Sequence, residues 1–228
     1  MSSKQSRLIS KVLSPALGLW LRSQVQQVSD LLVKISGSDR QILGGYIPNV
    51  SILARHAVYQ GLHLTQIHLV GNNIRVNLSA VLRGQSLRLL EPVPVFSELL
   101  LQEVDLNASL QSPLLANALT ELLSTLLPVN CSVDSPVSWH KIRIEPGQLI
   151  LDATLATVTA KPQPLVICTG LQLASSHELQ LEHPQIQIGG DWKNLESFKL
   201  DLGLEVDLQV LTLNPGQIVC HGRINVVP

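Results

Sequence analysis

The sequence predicts an α+β chain in which a long, strongly curved antiparallel sheet, or an incomplete barrel, wraps around amphipathic helices. Three observations predict it. Two segments open with Ser-Pro and continue at helical spacing. One run, Phe198 to Val210, alternates apolar and polar residues without a break. Two tight turns carry the same Pro-Gly pair.

The first helix starts at Ser14-Pro15, where a serine oxygen accepts from free N–H groups and proline suits the first helical position. Its apolar positions are Ala16, Leu17, Trp20, Leu21, Val25 and Val28. The second repeats the device at Ser112-Pro113. There Leu114, Leu115, Ala118, Leu119, Leu122, Leu123, Leu126 and Leu127 form one wide stripe, polar residues fill the other side, and Pro128 ends the pattern. Nearly everything else reads as strand. Leu200, Leu202, Leu204, Val206 and Leu208 share one face of the long alternating run, with Lys199, Asp201, Glu205 and Asp207 on the other. At about 3.3 Å per residue that run spans on the order of 40 Å, and a strand so long must twist and wrap. Shorter alternating runs lie at Ile74–Leu78, Leu149–Leu155, Leu165–Leu173 and Ile218–Val226. Pro146-Gly147 and Pro215-Gly216 take the central positions of type II turns; a duplicated unit and a common turn used twice explain the repeat equally well. The short polar stretch 129–138 is the best linker. The organisation is therefore a lead segment at 1–13 and one domain at 14–228, with sub-lobes at about 14–128 and 139–228.

Composition narrows the function. The chain has 228 residues, 45% hydrophobic and 14% charged, enough to bury a sizeable core and too apolar for disorder. A net charge of −1 and an aromatic share of 3% remove both the basic footprint and the stacking platforms of nucleic-acid binding. Cys131, Cys168 and Cys220 form no CxxC pair, which argues against a disulfide framework or a thiolate metal site and for three buried core residues. No phosphate-cradling loop, dinucleotide fingerprint or nucleophile elbow is present, and no cofactor is implied. His63 and His68 have odd spacing on a strand and point to opposite faces unless a bulge intervenes. Asp201, Glu205 and Asp207, like Glu98, Glu103 and Asp105, read as solvated polar surface rather than catalytic acids. A Ser-His-Asp arrangement drawn from distant segments stays open.

In place of aromatics stands leucine, roughly a fifth of the chain against an ordinary background. Aliphatic walls suit saturated chains, since each buried methylene contributes about 0.8 kcal/mol. The same leucines also suit a filled core, and periodicity alone leaves both readings open. Lys4, Arg7 and Lys11 face away from Leu8, Ile9, Val12 and Leu13 if the lead is helical; an interfacial anchor and a solvated tail both fit. Those three charges imitate a signal peptide, but Arg22 closes the apolar stretch Val12–Leu21 and no cleavage site follows. The expected location is cytoplasmic, with peripheral membrane contact and export left open.

Ile9–Val25, Val33–Gly37, Gln41–Pro48, Ala57–Leu62 and Leu82–Gly84 resemble cyanobacterial members of the LmeA-like phospholipid-binding family. The resemblance is close over the first half and looser toward the C-terminus. It implies a sheet rolled around a long helix, similar to the tubular lipid-binding (TULIP) proteins, with acyl chains inside and no catalytic residue. Gly37, Gly44, Gly45 and Gly61 take turn or bulge roles in it. On this basis the expected protein is a non-catalytic binder of phospholipid or another acyl lipid. Its expected walls are Leu114, Leu115, Ala118, Leu119, Leu122, Leu123 and Leu126, faced by Leu200, Leu202, Leu204, Val206 and Leu208. Trp20 sits at the mouth or in the core, and Arg40 and Arg55 meet a headgroup. The rivals are a scaffold with a filled leucine core and a lipid hydrolase with a Ser or Asp beside a His at a pocket mouth.

Overall fold

The computed structural model describes residues 18, 21–22, 25–81, 83–127, 137–156 and 162–228. Trp20, Cys131, the lead segment and most of the 129–138 linker lie outside them. Twelve strands form two antiparallel sheets. The first takes β1 (Gln27–Ser36), β2 (Tyr46–Tyr59), β3 (Leu62–Arg75) and β4 (Val93–Gln102), and then β12 (Gln217–Val226) and β11 (Val206–Asn214). The second runs β10 (Phe198–Asp201), β8 (Glu178–Ile188), β7 (Gln163–Ser175), β6 (Gln148–Leu155), β5 (Val137–Glu145), with β9 (Asp191–Asn194) also on β8. The helices are few: α1 (Asp39–Leu43), α2 (Leu78–Val81), α3 (Glu103–Ala108) and α4 (Pro113–Leu126). Among the described residues the sheets do not close into a barrel; each keeps two edge strands.

The α4 boundaries match the sequence reading for the reason given there. Ser112 is the N-cap, its side chain accepting from Leu114 N–H, and Pro113 opens the helix. Leu119, Leu123 and Leu126 are buried against Trp139, Ile142, Leu151, Leu165 and Ile167 of the second sheet. Both Pro-Gly turns form, with Gly147 at φ 71° and Gly216 at φ 72°. They also meet. Gly147 N–H donates to Leu213 C=O at 3.1 Å, and Gly216 N–H donates to Ile144 C=O at 2.9 Å, a reciprocal joint between the two sheets.

The long alternating run is not one strand. Leu202 N–H bonds His177 C=O, Gly203 turns at φ 87°, and Val206 N–H closes back onto Gly203 C=O at 3.2 Å. Phe198–Asp201 therefore pairs with β8 in the second sheet, while Val206–Asn214 pairs with β12 in the first. Alternation survives such a break because the turn leaves the apolar–polar count in phase on both sides. By the same crossing the C-terminal hairpin inserts beside β4 in the first sheet. Two smaller corrections follow the same logic. Val28, expected at the end of the first helix, pairs with Ala57 in β1. In the run Ile74–Leu78 the strand ends at Arg75, Val76 bridges Leu89, and Leu78 starts α2.

One irregularity shapes the first sheet. Pro48 has no N–H to offer the ladder, and across from it Asn73 adopts φ 54°, a conformation asparagine tolerates. Alternation slips there, so residues three apart, Ile47 with Val50 and Gly71 with Ile74, come to one face.

Candidate functional site

That face carries the site. Four adjacent strands each present aliphatic residues two apart: Val50 and Ile52, Ile67 and Leu69, Val93 and Val95, Ile224 and Val226. They surround a hollow of about 370 Å³. The loop after α2 covers one end of it with Leu87 and Leu89, and Leu21 adds a side chain from the N-terminal segment. Among the described residues sixteen line it, and a single one of these, Arg88, is charged. Beside the hollow a compact cluster of Ile35, Ile42, Val50, Val76 and Leu78 fixes α1 and α2 on the sheet end. Gly45 makes that docking possible: its N–H bonds Ile42 C=O at 2.8 Å and its C=O accepts from Val76 N–H at 2.9 Å.

None of the described residues expected from sequence lines this hollow, and Trp20 lies outside the described residues. On α4, Leu119, Leu123 and Leu126 are packed in the second sheet's core, Leu115 and Leu122 lie partly buried against it, and Leu114 and Ala118 are exposed. Leu200 and Leu204 are exposed, the latter by 85%, and Leu202, Val206 and Leu208 are half-buried. The run that carries Leu200 to Leu208 divides between the two sheets. Arg40 is on α1; Arg55 is on β2, where its Nε donates to Gln66 Oε1 at 3.0 Å. The hollow's own signal was available in the sequence as short i, i+2 aliphatic pairs, but each is too brief to stand out in so leucine-rich a chain.

The polar groups read otherwise than the sequence suggested. Glu103 and Asp105 are not free surface: Glu103 Oε2 accepts from Ile144 N–H at 2.9 Å, and Asp105 accepts from the Thr65 hydroxyl. Asp201 and Asp207, expected on one face, belong to different sheets. Ser51 Oγ lies 3.0 Å from His68 Nε2, and His68 Nδ1 lies 3.1 Å from Glu98 Oε2. The order matches a hydrolytic triad. However, the strand period puts these three on the face opposite the hollow, and interior strands spend their amide N–H groups on neighbours, so the backbone beside Ser51 offers no free oxyanion donor. Among the described residues no group of three or more His, Cys, Asp or Glu is placed to hold a metal ion. Cys168 and Cys220 are free thiols, and burial pushes the Cys220 thiol up to about 11, which keeps it protonated and unreactive at neutral pH. No helix among the described residues is long and apolar enough to cross a membrane.

A family model described as LmeA-like phospholipid-binding matches residues 4–223. Neither the curated proteins nor the solved structures contain a match.

Proposed function

The chain belongs to the LmeA-like phospholipid-binding family, and from that premise we propose that the hollow on the first sheet holds acyl chain of a bound phospholipid. The observation that carries this reading is the continuous aliphatic lining contributed by β2, β3, β4 and β12. A hollow of about 370 Å³ lies at the small end of the roughly 300–1,000 Å³ typical of ligand sites, so it suits part of one chain better than a whole two-chain lipid. Each methylene placed there contributes about 0.8 kcal/mol. The protein is a carrier and not a catalyst in this reading.

Membrane contact belongs to the same end of the molecule. Leu43 of α1, Leu90 beside Leu89, and Val226 and Val227 at the end of β12 are exposed apolar residues, and the same α1 and loop segments carry the exposed Arg40, Arg83 and Arg88. Apolar tips with interspersed arginines suit brief seating on anionic headgroups, from which a lipid could enter or leave.

Native mass spectrometry of the purified chain tests the proposal. Lipid adducts are expected, and Val95→Trp, which fills the hollow without adding charge, should lower them several-fold at unchanged thermal stability. The leucines of α4 provide the contrasting wall: Leu122→Trp should leave lipid content unchanged. Loss with Leu122→Trp alone would move the lipid to α4. No adducts at all would favour the scaffold reading.

A further inference from the structure

We infer that Arg88 and the loop bearing it recognise the phosphate group of the bound lipid, which rests on the acyl-chain reading above. Two spaces meet at this residue. On one side is the aliphatic hollow, lined by Leu87 and Leu89 next to Arg88 in sequence. On the other is an open recess of about 580 Å³, more polar than the hollow, formed with Asn77, Ala80, Gly84, Gln85 and Ser86. Among the described residues Arg88 alone lines both. A boundary between an apolar space and a polar one, marked by a cation, is the polarity profile of a phospholipid at its glycerol–phosphate junction.

The loop fixes the backbone that carries that cation. Asn77 Oδ1 accepts from Arg88 N–H at 2.7 Å, Asn77 N–H donates to Arg88 C=O at 3.2 Å, and Asn77 Nδ2 donates to Ser86 C=O at 2.9 Å. Its backbone is clamped while its guanidinium has no hydrogen-bond or carboxylate partner among the described residues. Arg75 and Arg143, by contrast, have Glu91 and Asp152. The side chains of Gln85 and Ser86 are likewise without a partner among the described residues, and both are exposed to the recess. A guanidinium binds phosphate oxygens in a two-pronged geometry that an ammonium cannot reproduce. Neutral polar side chains around it suit the remainder of a headgroup.

The experiment uses the full chain and its Arg88→Gln and Arg88→Lys variants, each verified by thermal melting. Protein is incubated with phosphatidylglycerol vesicles or with a diacylglycerol emulsion of the same acyl chains, re-isolated, and its lipid counted by native mass spectrometry. Inorganic phosphate is titrated separately by calorimetry. The expected result is about a tenfold loss of phosphatidylglycerol retention in Arg88→Gln, a smaller loss in Arg88→Lys, and unchanged diacylglycerol retention in both. Unchanged phosphatidylglycerol retention in Arg88→Gln overturns the inference while leaving the hollow's role intact. If that variant keeps phosphatidylglycerol but loses heat with inorganic phosphate, the recess serves a soluble phosphate and the headgroup assignment is overturned. If the unaltered chain retains neither lipid, the acyl-chain reading fails and takes the inference with it.

Discussion

At Gly45, backbone geometry leaves room for no other residue. Its φ of 79° is left-handed, and a Cβ there would stand 2.5 Å from the carbonyl oxygen of Val76. Both the strain and the clash fall on backbone, which cannot swing aside as a side-chain tip would. Gly45→Ala should destabilise the chain by about 2 kcal/mol or more. That corresponds to a midpoint lowered by roughly 4–8 °C in thermal unfolding; an unchanged midpoint would refute the close docking of α1 and α2 that bounds the hollow. Gly222 is constrained for a different reason. Its Cβ would lie 2.5 Å from Asp207 C=O, at the point where the β11–β12 register shifts.

Among the elements, α3 has a role its length would not suggest. β5 is an edge of the second sheet, and unpaired edges invite association with other chains. The Asn107 carboxamide covers it by pairing like a piece of strand: Nδ2 donates to Ile142 C=O and Ile142 N–H donates to Oδ1, both at 2.8 Å. Glu103 does the same for Ile144 N–H. Asn107→Ala leaves two part-buried backbone groups to water, at a cost of about 1–3 kcal/mol. The Ile142 amide should then exchange with solvent hydrogen markedly faster, while exchange in β2 and β3 stays as it was. Equal protection at Ile142 in both proteins would show that α3 is a passenger. The short helix α1 was not expected from the sequence, although the reciprocal capping bonds of Ser38 and Gln41 correspond to a local sequence pattern.

For the whole molecule, the decisive feature is the C-terminal hairpin. β12 pairs with β4 along its full length, and the turn of that hairpin exchanges hydrogen bonds with the β5–β6 turn of the other sheet. Residues from the first, middle and last thirds of the sequence thus share one sheet, and Leu213 and Ile218 reach into the core below α4. The two sheets should unfold as one cooperative unit. Trp139 is buried in the second sheet's core, so its fluorescence reports there, while far-ultraviolet circular dichroism reports on both sheets. Coincident denaturant transitions are expected; two separated midpoints would mean that the sheets are independent.

The sequence by itself determined what depends on neighbours a few residues apart. Ser112-Pro113 starts α4, Pro146-Gly147 and Pro215-Gly216 turn their hairpins, and alternation makes the chain mostly strand, because caps, turns and side-chain period act over two to four positions. Family membership was readable on the same footing, from glycine and alternation motifs. Tertiary structure alone decided where Phe198–Val210 divides, which sheet each half joins, and where the aliphatic surface is left unfilled. A hollow is what remains after strands distant in sequence have packed, and Ile47 and Val226 meet around it only through the β2-β3-β4-β12 order. No local pattern encodes that sum, which is why the valines and isoleucines that line this space did not stand out in the sequence.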